Sequence, residues 1–258
     1  MKAKLNWIIE EPARTPASQN LSLDVDPNIV LSIFDNATVD KDYYDYIRGK
    51  SVVVVGPADY LRGSKRKDFF DSFDIIVRLN KSYPVAPNDV EDIGLRTNIR
   101  YHNACMRENE GGSLKLESAK DAQLKYISSI FPRHLSYFDR DINLIEKELE
   151  NSDVKLHCFT DLEQYLTFHS ALETRPNAGV AAIIDLLNYN PRRLHISGFS
   201  FFQTPYIDTY EGRRKEIPSE YQSNSVNNHA QGPQRDLIRL FLDKLDCVTA
   251  DEEIVNYL

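Results

Sequence analysis

Cysteine is scarce in this sequence: Cys105, Cys158 and Cys247 are the only three in 258 residues, far apart and odd in number. Their spacing excludes a disulfide framework and a paired metal-ligand motif, and suits buried thiols in a reducing compartment. Long apolar runs are missing as well. The start of the chain holds only the short stretch Leu5 to Ile9, too small for a signal-peptide core and far short of a membrane span, so a cytoplasmic chain is expected. The sequons at Asn20, Asn36 and Asn80 are accordingly expected to stay unmodified. Positive charge is in deficit: 31 Lys and Arg against 39 Asp and Glu leave a net charge of -8, which excludes a general basic surface for nucleic acid. The basic runs Lys65 to Lys67 and Arg213 to Lys215 read as solvated faces. No internal repeat or low-complexity tract is present.

What is there is enough for one core: 41% of the residues are hydrophobic. Residues 1–47 mix prolines with acidic residues around Ile29 to Phe34, a strand or short helix, and read as an extension packed on a main domain of residues 48–258. Ser51 to Val55, closed by Gly56, is a β-branched run of the kind buried on both faces of a parallel sheet. Further strands are expected at 75–80, 97–102, 124–131, 154–159 and 193–198, and helices at 141–149, 161–169, 179–187 and 233–245. Strands alternating with helices predict an α/β fold, a Rossmann-like, doubly wound and mostly parallel sheet. Phe199 to Asn228 is a long polar connection of the sort that forms lids or binding loops.

Several positions suit chemistry in such a fold, where ligands sit at the carboxyl ends of the strands. Gly56, Pro57, Ala58 and Asp59 follow the first strand but match neither the dinucleotide fingerprint nor the phosphate loop. Arg78 and Asn80 end the second strand, where, taken alone, a solvated strand terminus is the better explanation. Asn177, Ala178 and Gly179 open an apolar helix, so Asn177 caps it while free N–H groups face either water or an anion. His229 lies just before the last helix, whose positive end favours a neutral imidazole able to accept a proton. The other histidines, at 102, 134, 157, 169 and 195, fall in or beside predicted elements and suit packing or surface roles.

Taken in order these pieces resemble the motifs of the animal-type sialyltransferases over roughly residues 50 to 240. The family's long motif corresponds to Ser51 through Ser64, Phe73 through Asn80, and Asp92-Ile93-Gly94-Leu95-Arg96-Thr97. Its short motif resembles Pro176-Asn177-Ala178-Gly179, followed by a strand ending in Gly198 and Phe199. Its third motif's tyrosine falls by counting at Tyr210, and its last motif reads His229 to Gln234, with Gln234 in place of glutamate. The cysteines that the family bridges have no counterpart, Ser51 standing at the first position.

The resemblance implies a soluble bacterial, viral or phage-type relative with a single-domain, GT-A-like catalytic unit, rather than a Golgi enzyme. It implies an inverting transfer of sialic acid from a CMP-activated donor to a glycan hydroxyl, with no cofactor and no metal; no DxD-like pair is prominent. His229 would be the base, Tyr210 and the start of the helix at 177–179 would stabilise phosphate, and Gly56 to Asp59, Asn80, Gly198 and Phe199 would hold the nucleotide. A Kdo-type donor, or a CMP-binding module that has lost catalysis, remain the alternatives.

Overall fold

The computed structural model describes residues 27–108, 110–133, 135, 142–210 and 231–258. Seven strands form one parallel sheet: β1 (Ser51–Val55), β2 (Ile75–Leu79), β3 (Ile99–His102), β4 (Tyr126–Pro132), β5 (Lys155–Phe159), β6 (Arg193–Ser197) and β7 (Val248–Ala250). Their order is β5-β4-β3-β2-β1-β6-β7, with Val54 of β1 level with Val77 of β2 and Ile196 of β6. The chain therefore builds outward from β1 in one direction and then returns to build outward in the other. The reversal lies between β1 and β6, the position at which open α/β sheets bind ligands.

The valine run of β1 explains why it is central. Side chains alternate across a strand, so Val52 and Val54 join the larger apolar cluster while Val53 and Val55 join a smaller one with Leu61, Phe70, Phe73 and Ile93. All four valines are fully buried, because helices cover both faces of a parallel sheet.

The helices are α1 (Pro27–Ser32), α2 (Lys41–Ile47), α3 (Lys67–Asp71), α4 (Val90–Ile93), α5 (Ala119–Ala122), α6 (Ile142–Leu149), α7 (Leu162–Ala171), α8 (Ala178–Leu187), α9 (Gln231–Lys244) and α10 (Glu252–Val255). The stretch Ile29 to Phe34 resolves as helix, running into a 3-10 turn at Ile33–Asn36. On α2, Tyr43 and Ile47 are buried against the main core. On α6, Ile142, Ile145 and Leu149 form the buried face that their spacing predicts.

Four local results depart from the sequence reading. The third strand starts at Ile99 rather than 97, because Thr97 and Asn98 turn their side chains to other duties: Thr97 Oγ1 accepts from Arg78 Nε at 3.1 Å and Asn98 Oδ1 from the Ile76 N–H at 2.9 Å. The last helix begins two residues early, at Gln231, with Pro233 still in its first turn, where its missing N–H costs nothing. β7 is too short to show a period. Asp185 breaks the apolar run of α8, fully buried, accepting from Tyr101 Oη at 2.6 Å and standing 2.9 Å from His157 Nε2. Among the described residues no helix is long and apolar enough to cross a membrane.

Candidate functional site

At the reversal the ends of β1 and β6 touch. The Gly56 N–H donates to the Ser197 carbonyl (2.8 Å) and the Ala58 N–H to the Gly198 carbonyl (2.9 Å), carrying the ladder past both strands. A Cβ on Gly56 would collide with the carbonyl of Gly198, and one on Gly198 with that of Gly56; Gly198 also has φ +73. Only glycine meets these demands at both places. The Asp59 N–H donates to the Pro205 carbonyl (3.1 Å) and the Ile207 N–H to the Pro57 carbonyl (2.9 Å). The amides of residues 56, 58 and 59 are thus all committed within the fold. Asp59 is half-buried, and these three positions offer no free N–H groups.

Asn80 is not a solvated terminus. It is buried, at φ +45, in the left-handed region that asparagine tolerates. Its Oδ1 accepts the Asn103 N–H at 2.9 Å, and its carbonyl accepts Arg100 Nε at 2.7 Å. Its amide NH2 has no partner among the described residues. Arg100 binds the carbonyls of Gly111, Ser113 and Leu114 as well, bracing the loop beside Asn80. Burial pushes its guanidinium down to about 10, which leaves it a cation at neutral pH.

The start of α8 is capped as its sequence predicts: Asn177 Oδ1 accepts the Val180 N–H at 2.9 Å. The Ala178 and Gly179 N–H groups, in the first turn, have no intrahelical carbonyl to meet. The Asn177 N–H itself donates to Gln234 Oε1 at 2.8 Å, across from α9. Gln234 is fully buried. The contact to Asn177 uses the acceptor oxygen of the carboxamide, an atom type that a carboxylate also carries. Phe199 lies against Gly179, where any Cβ would strike its ring, and borders Gly56 too. It is buried and serves as packing between β1 and α8.

On the β2 side, Tyr210 ends a 3-10 turn (Asp208–Tyr210), with its ring 4.8 Å from that of Tyr206 and the Lys81 ammonium 6.0 Å from its centroid. The turn is anchored by Thr209, whose N–H and hydroxyl both donate to Asp89 Oδ2 at 2.5 Å. The Tyr210 N–H reaches the Ile207 carbonyl at 3.2 Å, and it is Ile207 whose own N–H is bonded to Pro57 in the loop after β1.

The fold therefore brings Gly56 to Asp59, Gly198, Phe199 and the 177–179 helix start into one cluster, with Asn80 and Tyr210 next to it. His229 lies outside the described residues, as do Arg213 to Lys215; α9 begins two residues after it. Sequence reasoning missed the contribution of Asn103, which carries no periodic or motif signal, and the acceptor role of Gln234, whose motif position does not disclose its partner Asn177. The remaining long-motif residues are braces: Asp92 accepts the Gly63 and Lys65 N–H groups at 2.7 and 3.0 Å, and Arg96 donates to the Phe73 carbonyl at 2.5 Å. His102 is structural as well, its Nδ1 accepting the Ala104 N–H at 3.1 Å, so that Nε2–H faces the Gly112 carbonyl at 2.9 Å.

Parallel sheet, reversal at β1 and β6, and a capped helix start facing that reversal define an α/β domain with a strand-end ligand site. The family model described as glycosyltransferase family 29 (sialyltransferase) matches residues 12–219, and the chain belongs to that family. No curated protein matches by sequence. Among solved structures, the fold is similar to that of the sialyltransferase CstII from Campylobacter jejuni in complex with the substrate analogue CMP-3FNeuAc. The TM-score is 0.54 at 15% identity, over 81% of this chain and 85% of that one. It is similar also to CstII with a trisaccharide acceptor and CMP, with a TM-score of 0.52 at 14% identity over 80% and 84% of the two chains.

Proposed function

We propose that this protein transfers sialic acid from a CMP-activated donor to a glycan hydroxyl, inverting the anomeric centre and requiring no metal. The carrying observation is the start of α8, locked by Gln234 and Phe199 beside the Gly56 and Gly198 junction: an oriented set of N–H groups at the sheet's reversal. Family membership supports the sugar, and the CstII complexes contain CMP and a CMP-sugar analogue.

In this reading the donor phosphate meets the Ala178 and Gly179 N–H groups and the Tyr210 hydroxyl, while the Asn80 NH2 and the Asp59 carboxylate contact the nucleoside. The acceptor oxygen forms a bond to the anomeric carbon from the face opposite the phosphate. The carbon–oxygen bond to phosphate breaks and CMP departs with the electron pair. The acceptor's proton passes to His229. CMP is already a good leaving group, so N–H donors that match its growing charge suffice and no metal step is invoked.

A donor panel of CMP-sialic acid, CMP-Kdo and UDP-sugars, with and without EDTA and read by nucleotide release, tests the reading. Turnover of CMP-sialic acid, insensitive to EDTA, is expected. A preference for UDP-sugars would overturn it, and CMP binding without release would mark a module that has lost catalysis. Nothing in the site favours a Kdo donor.

A further inference from the structure

Asp251 stands beyond the stretch matched by the family model, between β7 and α10, with its side chain almost wholly buried. Four side chains donate to its one carboxylate. Oδ1 accepts from Arg66 Nη2 at 2.6 Å and pairs with His195 Nε2 at 3.0 Å; Oδ2 accepts from Ser197 Oγ at 2.5 Å and Tyr60 Oη at 2.9 Å. The Thr249 hydroxyl pairs with His195 Nδ1 at 2.9 Å.

These donors come from both sides of the reversal in the sheet: Tyr60 and Arg66 follow β1, whereas His195 and Ser197 belong to β6. The important member is Tyr60. Having given its single proton to Asp251, its oxygen is left as an acceptor, and the Gly198 N–H donates to it at 2.6 Å. The Gly198 carbonyl accepts the Ala58 N–H at 2.9 Å. The peptide at φ +73 is thereby held at both ends, and the Phe199 ring that follows is set down on Gly179 in the first turn of α8.

We infer that Asp251 and Tyr60 are positioning residues, which through the Gly198 N–H hold the Gly198–Phe199 turn where it shapes the strand-end site against the first turn of α8. The inference rests on the nucleotide reading above for its link to catalysis. Neither residue touches the donor. Deleting the Tyr60 oxygen leaves the Gly198 N–H unpartnered, and altering the Asp251 carboxylate loosens the Tyr60 hydroxyl that receives it; either change lets Phe199 drift from Gly179, so the phosphate cradle loses its back wall while the sheet remains.

The test compares Tyr60→Phe, which keeps the ring and deletes the oxygen, with Asp251→Asn and with Asp161→Ala, which removes the cap of α7, a helix whose first turn meets the opposite end of α8 from the site. CMP affinity is measured by calorimetry and amide hydrogen exchange is followed at Gly198, Phe199 and Gly179. Tyr60→Phe and Asp251→Asn are expected to weaken CMP binding about 10-fold, the order of one unsatisfied buried group. Exchange at the three amides is expected to accelerate, and the donor KM to rise more than kcat falls. Asp161→Ala should melt earlier with CMP affinity unchanged. Undiminished affinity in Tyr60→Phe, or equal weakening in the α7 control, overturns the inference. If the unaltered protein takes up no CMP, the nucleotide reading fails by itself; faster exchange at Gly198 in Tyr60→Phe then still sustains the positioning role, and unchanged exchange overturns it.

Discussion

Gln234 Oε1 accepts the Asn177 N–H from the start of α8, and that contact sets an expectation for substitutions there. Gln234→Glu keeps an acceptor oxygen for the Asn177 N–H, and its CMP affinity, measured by calorimetry, is expected to fall less than that of Gln234→Leu. Gln234→Leu leaves the Asn177 N–H without its partner and is expected to cost about 1–3 kcal/mol in the urea unfolding free energy, with weaker CMP binding. His229→Ala should lower turnover by about 100- to 10,000-fold in single-turnover transfer while CMP still binds, the signature of a lost general base. At Asp251 burial works against ionisation. Hydrogen bonds from His195, Arg66 and Ser197, with the Arg66 charge, overcome it and hold the carboxyl well below the usual carboxylate range. Its folded value lies under its unfolded one, so its contribution is complete at neutral pH and fades as pH falls below about 4. Urea midpoints taken at pH 7 and pH 3 should differ less in Asp251→Asn than in the unaltered protein.

Among elements, α8 has the most to lose from small changes at its start. Gly179→Ala places a methyl group where the Phe199 ring lies, so either the ring or the helix must shift. CMP affinity should drop, and the double variant Gly179→Ala with Phe199→Leu should recover part of it, since the smaller side chain vacates that space; calorimetry on the three proteins reads this coupling. How far elements were legible depended on their length and residue types. Val52 to Val55 announces a buried parallel strand by β-branching alone, and α6 by its 3.6-residue spacing. β7, with three residues, holds too few positions for a period. Asp185 sat unnoticed in an apolar helix because its partners, Tyr101 and His157, belong to β3 and β5.

For the whole molecule, ligand binding at the junction of β1, β6 and α8 joins segments from 56 to 234 in the chain. CMP at 100 times its dissociation constant should therefore raise the global unfolding free energy by about 2.7 kcal/mol, visible as a shift in the urea midpoint. The sheet's reversal puts the site where residues far apart in sequence meet, and the chain beyond residue 219 supplies both Gln234 and Asp251 to it.

Local chemistry was sufficient for the class of fold and for the ends of its strands: β-branched runs, a closing glycine and an asparagine cap each act within a few residues, so their consequences are written in order along the chain. The motifs' order likewise carried the resemblance to sialyltransferases. Which glycines had to be glycine, why Asn80 is buried, and what Gln234, Tyr60 and Asp251 hold in place were decided only when β3 was laid beside β2, β6 beside β1 and α9 against α8. Those contacts span as many as 191 positions, and no local propensity acts over such a distance; only the packing of the finished sheet brings the partners within reach.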